Sequence, residues 1–329
     1  MLMSSKNKGL TVSYVDVIGD ELKRVDEYIK ASLLSKQKVL EVALKELLEA
    51  GGKRLRPALV LLSGKFGRYD DKKLIPLAAA VEILHMATLV HDDIIDDSKM
   101  RRGRPTVQSR WGKDIAVFTG DFLFAKTFLL LAHSTTVENM QGLSKVVKAI
   151  CEGEIAQYQS RYDKYVTVRQ YLKRIGRKTA LLFALSCYVG AHESKCPKNV
   201  ERCLREFGFN FGMAFQITDD LLDFTGDAAK TGKPVGSDFV QGVYTLPLIY
   251  AINSSYGSEV IKILDKESYG PEDVERMIEL VHASGGIEYG KKLAKSYLNR
   301  ASAFIEDLAP IPAKAALKNL VDGLTERSY

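Results

Sequence analysis

An all-α fold, a single bundle of about a dozen helices, is what this sequence predicts. Apolar residues recur at helical spacing over most of the 329 residues, whereas the alternation expected of strands is scarce. Glycine and proline fall at the edges of the periodic segments, where they stop and start helices. Two acidic clusters, Asp92-Asp93-Ile94-Ile95-Asp96-Asp97 and Asp219-Asp220-Leu221-Leu222-Asp223, each close a strongly apolar segment.

Along the chain, residues 1–12 are expected to form a flexible polar lead-in without the apolar core of a signal peptide. Val15 to Leu34 and Lys36 to Ala50 read as amphipathic helices, the second stopped by Gly51-Gly52. Pro57 opens a helix from Ala58 to Phe66, and Asp70-Asp71 reads as a turn. Pro76 is expected in the first turn of the next helix, where its missing N–H costs nothing. From there to Asp97 the pattern is apolar nearly all round, which marks a helix in the middle of the bundle. Arg101 to Arg110 reads as a polar loop. Helices are then expected over Lys113 to Leu131, over Val137 to Tyr158 with small residues at Gly153 and Ala156, and over Val168 to Gly190. Cys196-Pro197 is a break, and Asn199 to Phe224 carries the second acidic cluster. The stretch from Gly226 to Gly242 is too long and glycine-rich for a simple connector. Thr245 to Ile252, Pro271 to Ser284, Ile287 to Leu308 and Pro312 to Leu324 complete the helices. No repeat or linker divides the chain, so residues 1–329 are expected to form one domain, above the usual size.

Composition removes several function classes. The net charge of +6 is scattered rather than gathered in a basic face, which argues against a nucleic-acid partner. None of the four cysteines makes a C-x-x-C pair, so they read as buried thiols in a reducing, cytoplasmic setting rather than as a zinc or redox site. No uninterrupted apolar run approaches the ~20 residues of a spanning helix, which leaves at most peripheral membrane contact. No dinucleotide-binding, P-loop or nucleophile-elbow motif is present. A His-Asp phosphohydrolase would need further histidine ligands beyond His85 and His91, and His133 and His192 lack acidic neighbours.

The acidic clusters carry the chemistry. On a helix Asp92 and Asp96 lie one turn apart, and Asp93 and Asp97 form a second such pair. Like charges at that spacing repel, so a cation is expected among them. The second cluster repeats the pattern, and apolar surroundings make bare carboxylates costly. Oxygen ligands in this number suit Mg²⁺, which usually bridges to substrate phosphates. Basic groups accompany both clusters: Lys53, Arg54 and Arg56 in Gly51 to Pro57, then Arg101 and Arg102, Lys178, and Lys230 and Lys233. Each alone reads as a surface charge. Together with carboxylates and Mg²⁺ they form a constellation for binding a diphosphate.

With these motifs in hand, the chain resembles a trans-type, head-to-tail polyprenyl diphosphate synthase. The matches, in the family's order, are Gly52-Lys53-Arg54-Leu55-Arg56-Pro57, Asp92 to Asp96 with Arg101-Arg102, Gly120-Asp121, Lys178-Thr179, Gln216, Asp219 to Asp223 and Gly232-Lys233. The resemblance implies a bundle around a deep central cavity, three Mg²⁺ ions and a homodimer, with a heteromer containing a small regulatory subunit as the alternative. It implies that Asp92 and Asp96 hold two ions and Asp219 the third, with Asp93, Asp220 and Asp223 in the same carboxylate set. It further assigns Arg101, Lys178, Thr179, Gln216 and Lys233 to the allylic diphosphate, and Lys53, Arg56, His85 and Arg102 to isopentenyl diphosphate. The catalytic set is then Asp92, Asp96, Arg101, Lys178, Asp219 and Lys233. His85 falls about 20° from Asp92 on a helical wheel, which agrees with a place at the mouth of the site.

Product length turns on the residues before Asp92. In the family a bulky aromatic five positions earlier blocks the growing chain. Here that position is Ala87, with Leu84 and Thr88 nearby. The run His85 to His91 is similar to the catalytic subunit of heptaprenyl diphosphate synthases. The resemblance thus implies a product longer than C20, in the range of about C30 to C40. A geranylgeranyl or farnesyl synthase, or one subunit of a heteromeric enzyme, are the alternatives. An ideal wheel puts Ala87 about 140° from Asp92, so its facing the cavity rests on the resemblance alone.

Overall fold

The structure, a computed structural model, describes residues 12–134, 136–226 and 235–327. The N-terminal lead-in up to residue 11, and Lys230, Gly232 and Lys233, lie outside the described residues.

Ser13 starts α1 (Tyr14–Ser32) with a capping box, its N–H donating to Asp16 Oδ2 at 2.8 Å. There follow α2 (Lys38–Glu49), α3 (Leu55–Gly64) and α4 (Asp71–Ile95). Asp70 is the N-cap of α4, accepting from Lys72 N–H at 3.0 Å, so the expected Asp70-Asp71 turn is the helix start itself. Pro76 accordingly stands one turn further in than expected. Fourteen of the 25 residues of α4 are buried, which makes it the central helix.

The expected polar loop after α4 contains a small hairpin, β1 (Met100–Arg101) against β2 (Arg104–Pro105). Arg102 and Gly103 between them both have positive φ, 51° and 73°, the backbone geometry of a two-residue hairpin turn. Then come α5 (Val107–Trp111), α6 (Lys113–Ser134), α7 (Val137–Gln159) and α8 (Val168–Ile175). A π-helical turn, Gly176–Ala180, joins α8 directly to α9 (Leu181–Glu193), and α10 (Lys198–Thr225) follows. The remaining helices are α11 (Ser237–Val240), α12 (Leu246–Ile252), α13 (Gly257–Leu264), α14 (Pro271–Ala283), α15 (Gly286–Glu306) and α16 (Pro312–Arg327). The short α5 and α11 are too brief for periodicity to reveal, and α13 was not among the expected helices.

Two apolar clusters make up the core. One gathers α1, α3, α4 and α9 around residues such as Ile29, Leu61, Leu77 and Phe183. The other gathers α12 to α14 around residues such as Tyr244, Ile249, Val260 and Met277. The long helices α10 and α15 run through both: Phe207 and Phe211 of α10 lie in the first, Ile217, Leu221 and Phe224 in the second. An ion-pair knot stiffens the first cluster. Arg54, the N-cap residue of α3, donates to Asp26 of α1 at 2.8 Å and to Glu82 of α4 at 2.9 Å. Glu82 is almost wholly buried, so removing its partner would cost about 3–5 kcal/mol.

Two helices are as long and apolar as a membrane span, which the count of uninterrupted apolar runs did not anticipate: α4 and the stretch Lys113–Ala132 of α6. Isolated charges such as Glu82 and Asp121 interrupt both without removing their apolar character. The apolar window of α4 is 72% buried inside the fold, whereas that of α6 is only 33% buried.

Helices α9 and α10 approach closely because α10 carries Gly208 and Gly212, one turn apart. A Cβ on Gly208 would stand 2.6 Å from the Phe183 carbonyl oxygen, and one on Gly212 would stand 2.8 Å from Ala180 Cα. Gly208→Ala is therefore expected to destabilise the fold by about 1–3 kcal/mol, as overpacking against backbone does. Gly142→Ala on α7, where a Cβ meets nothing within 4 Å, should be neutral or slightly stabilising. Urea midpoints of the two variants check this; equal midpoints would refute the tight seam.

Candidate active site

Both acidic motifs lie towards the C-terminal end of a helix, at the end of α4 and in the last two turns of α10, with no basic residue in either last turn. The helix dipole is negative at that end, so it adds to the repulsion among the carboxylates. The cations come from elsewhere in the chain. Asp93, expected among the metal-binding carboxylates, is buried and accepts from Arg101 Nε at 2.8 Å. Gln108 fixes the same turn by donating to the Asp93 and Ser98 carbonyls at 2.6 and 2.9 Å. Asp96 accepts from Arg161 Nη2 at 2.9 Å. Asp97 is exposed and pairs with Lys99 and Lys113. Burial raises the pKa of Asp92, with Asp96 pushing the same way and Lys178 and Arg101 opposing. The matched Gly120-Asp121 pair supports this turn from α6. A Cβ on Gly120 would run into the His91 ring, and His91 Nε2 lies 3.5 Å from Asp121 Oδ1.

Lys178 and Thr179 sit in the π-turn, where Leu181 N–H reaches back five residues to the Gly176 carbonyl. The turn packs on α7 through Gly153, whose absent Cβ leaves room for Lys178 N at 3.2 Å. Lys178 Nζ donates to Glu154 Oε2 at 2.8 Å. Burial works against the ammonium, yet Asp92, Glu154 and Asp96 together hold its pKa above the usual value. Burial, then Asp92, pushes the Glu154 carboxyl up to about 7. Thus Asp92, Asp96, Lys178 and Glu154 form one electrostatic cluster.

The second motif is held by a chain of hydrogen bonds. Thr179 Oγ1 donates to Gln216 Oε1 at 2.7 Å, Gln216 Nε2 to Asp220 Oδ1 at 2.8 Å, and Tyr171 OH to Asp220 Oδ2 at 2.6 Å. Asp220 is therefore satisfied within the protein, and burial with the nearby Asp238 raises its pKa to about 7. Asp223 accepts from Ser237 N–H, Ser237 Oγ and Asp238 N–H at 3.1, 3.0 and 3.2 Å, which ties α11 to the end of α10. Its pKa also lies at about 7, raised by burial and Asp238. The charge of Asp219 acts on Arg56, supporting its protonated form against burial.

That basic side is compact. Tyr14 OH donates to the Lys53 carbonyl at 3.0 Å and so anchors the loop before α3 to α1. Arg102 Nη1 donates to the Gly51 carbonyl, bringing the hairpin against this loop. Arg56 lies over the Phe183 ring at 4.5 Å. Burial lowers its pKa to about 10, with Glu82 and Asp219 opposing and Arg102 assisting. His85 is held well below its ordinary pKa by burial and by Arg56, Arg102, Arg101 and Arg54, so its imidazole is neutral. The expected grouping of Arg56, His85 and Arg102 is thus present in space. Arg54, from the same basic run, is spent on the structural knot with Asp26 and Glu82.

Leu84 and Ala87 are fully buried in the first core cluster, and Thr88 Oγ1 donates to the His85 carbonyl at 2.8 Å. A recess of about 830 Å³ opens beside α11 and α14, bordered by Ser237, Val240, Val274, Ile278 and His282; none of the expected site residues lines it.

Several participants escaped the sequence reading: Glu154, Arg161, Tyr171 and Asp238. Only Glu154 carried a signal, since the neighbouring small residue Gly153 marks a close helix contact. The donors suit a hard divalent cation: they are carboxylate oxygens, and at Asp92 burial and the neighbouring Asp96 both work against the charged form, which a bound cation would favour. Among the described residues no three acidic, histidine or cysteine groups form a ready-made metal cage. Such a layout fits an ion whose shell is completed by water and substrate oxygens.

Comparison with known proteins agrees with this geometry. The sequence pattern of the polyprenyl synthetase family matches residues 37–281. Component 2 of heptaprenyl diphosphate synthase from Geobacillus stearothermophilus is 40% identical over 316 residues, covering 95% of this chain and 97% of its own. The crystal structure of heptaprenyl diphosphate synthase from Staphylococcus aureus superposes with a TM-score of 0.90 at 37% identity, over 95% of this chain and 99% of that one. A polyprenyl synthase from Caulobacter crescentus, solved with calcium and isoprenyl diphosphate, gives a TM-score of 0.92 at 32% identity over 98% of this chain and 100% of that one. Two aspartate motifs at helix ends, a neutral histidine among arginines and this likeness along nearly the whole chain have one reading: the chain belongs to the polyprenyl synthetase family and is a prenyltransferase.

Proposed function

We propose that this chain condenses isopentenyl diphosphate head to tail with an allylic prenyl diphosphate, in a Mg²⁺-dependent reaction, to give an all-trans polyprenyl diphosphate longer than C20. What supports this reading is that charges of both acidic motifs act on basic groups of one site, Asp92 and Asp96 on Lys178 and Asp219 on Arg56. Lys53, Arg56 and Arg102 bind the diphosphate of isopentenyl diphosphate. Neutral His85 donates a hydrogen bond there without adding to the charge. Lys178, charged and held between Asp92 and Glu154, presents its ammonium to the allylic diphosphate. Mg²⁺, three ions held through Asp92, Asp96 and Asp219, would neutralise the charge that develops on the departing diphosphate. The buried apolar helices keep water from the allylic cation until the double bond attacks it. The proton is then lost to the departed diphosphate, so no protein base is needed.

Long product fits Ala87, a small buried side chain where a bulky one would stop chain growth. Names of relatives among heptaprenyl synthases support the same range. For assembly, α6 presents an apolar stripe: Val117, Phe118, Ala125, Phe128 and Leu129 are all exposed, and Phe118 and Leu129 retain 66% and 51% of their surface. Such a face on a water-soluble enzyme is suited to a second copy, giving a homodimer. A relative named as component 2 favours a second reading, a catalytic subunit that works with a small partner. All four cysteines are free thiols, which supports a cytoplasmic site of action.

Purified chain given labelled isopentenyl diphosphate and farnesyl diphosphate should make products longer than C20 on reversed-phase separation. Ala87→Phe should shorten them while condensation continues, and Asp92→Ala should abolish Mg²⁺-dependent turnover. A dominant C15 or C20 product from the unaltered chain would sink the long-chain reading; a product requiring an added subunit would favour the heteromer. Next, Glu154, Asp220 and Asp223 have folded pKa values of about 7, above the ordinary 4.5, 3.8 and 3.8. A raised folded pKa stabilises the protonated fold at low pH, and that contribution is lost as pH rises through about 7. The Tm of metal-free protein should thus fall between pH 5 and 8, and Mg²⁺ with inorganic pyrophosphate should restore it at pH 8. A flat or rising Tm without metal counts against these protonation states. Finally, Phe118→Glu should convert a dimer to a monomer in light scattering; an unchanged mass would place the interface elsewhere.

A further inference from the structure

The loop between α7 and α8 sends one arginine into the first aspartate motif. Arg161 Nη2 donates to Asp96 Oδ1 at 2.9 Å, and the two side chains are only 21% and 23% exposed. Arg161 Nε is buried and has no hydrogen-bond partner, so the guanidinium holds a donor in reserve. The loop itself is fastened to the other half of the molecule. Tyr162 N–H donates to the Gly242 carbonyl at 2.9 Å. The Tyr162 ring fills the place where a Cβ on Gly242 would stand, 2.7 Å away. Arg174 donates to the Tyr244 carbonyl at 2.8 Å and reaches Ser160 Oγ at 3.4 Å, and Lys164 pairs with Asp265. Val166 is part of the second core cluster. The loop therefore belongs with the segment that caps Asp223, whereas Asp96 belongs to α4 and the first core cluster.

We propose that Arg161 is a positioning residue that occupies Asp96 until a diphosphate arrives. This rests on the reading of Asp96 as a metal-binding carboxylate. A guanidinium and a divalent ion compete for the same carboxylate charge, so Asp96 is a poor metal ligand while Arg161 is bound. A diphosphate offers the guanidinium a better partner, since its oxygens match the arginine fork and the spare Nε–H gives a second bond. Arg161 then leaves Asp96 to the metal. The pairing makes metal loading depend on diphosphate, and because the loop is tied to the segment capping Asp223, it links the two motifs.

The test is a Mn²⁺ titration of the full chain, followed by the electron-paramagnetic-resonance signal of free Mn²⁺, with and without inorganic pyrophosphate. Without pyrophosphate, Arg161→Gln should bind Mn²⁺ about fivefold to tenfold more tightly than the unaltered protein, in line with losing one partly buried charge competitor. Arg161→Lys should retain the weak binding. With pyrophosphate the advantage should vanish, and Arg161→Gln should need several-fold more pyrophosphate to reach half-saturation. Gly242→Ala, which loosens the loop from its far side, should shift Mn²⁺ affinity in the same direction as Arg161→Gln. Equal Mn²⁺ affinity of folded Arg161→Gln and unaltered protein, without pyrophosphate, overturns the proposal and leaves the metal reading intact. Absence of Mn²⁺ binding in both proteins, even with pyrophosphate, overturns the metal reading of Asp96 and this proposal with it.

Discussion

Carboxylates at the negative ends of two apolar helices are the constraint on which the rest of this structure depends. Neither α4 nor α10 supplies a cation in its last turn. Compensation is imported over long sequence distances: Arg101 from the hairpin, Arg161 from the loop before α8, Lys178 from the π-turn. Where no cation arrives, hydrogen bonds do the work, as Tyr171 and Gln216 do for Asp220 and as Ser237 and Asp238 do for Asp223. Much of the irregular backbone in the molecule is explained by this requirement. The hairpin, the loop at Ser160 to Val166 and the short α11 each deliver a group to one carboxylate.

The helical scaffold makes that delivery possible. Gly208 and Gly212 let α10 lie against α9, which brings the second motif beside the π-turn and its Lys178. Arg54 ties α1, α3 and α4 together, so the basic loop at Lys53 to Arg56 and the first motif share one rigid frame. Within the six aspartates the protein then distinguishes roles. Asp220 and Asp223 are held by hydrogen bonds, Asp93 and Asp96 pair with Arg101 and Arg161, and the charges of Asp92 and Asp219 act on Lys178 and Arg56.

The helices and both acidic motifs were legible in the sequence, because apolar periodicity leading into clustered aspartates is a local pattern. The basic partners were legible as residue types, and Arg56, His85 and Arg102 do come together. The resemblance set Asp92, Asp96 and Asp219 apart as ion holders, but which protein groups meet each aspartate was not legible. Whether Asp93 or Asp92 meets a cation depends on side chains 8 to 86 positions away, such as Arg101 and Lys178. Glu154 and Arg161 escaped for the same reason: each looks like an ordinary charge on a polar helix or loop until α7 is packed against the π-turn. The hairpin at Arg102-Gly103 escaped because two-residue strands leave no alternation to detect.

The π-turn at Gly176–Ala180 has a bearing on how this chain tolerates change in length. Its five-residue bond accommodates one residue more than an ordinary helical turn, so every side chain beyond it is rotated by about 100° relative to those before. Deleting a single residue there would leave a perfectly acceptable α-helix, yet it would turn Phe183, Gly190 and their neighbours off the seams they share with α10 and α3. The segment is thus bound in number as well as at Lys178 and Thr179, whose side chains meet Glu154 and Gln216. Lineages of this protein should keep the number of residues between Ile175 and Leu181 fixed.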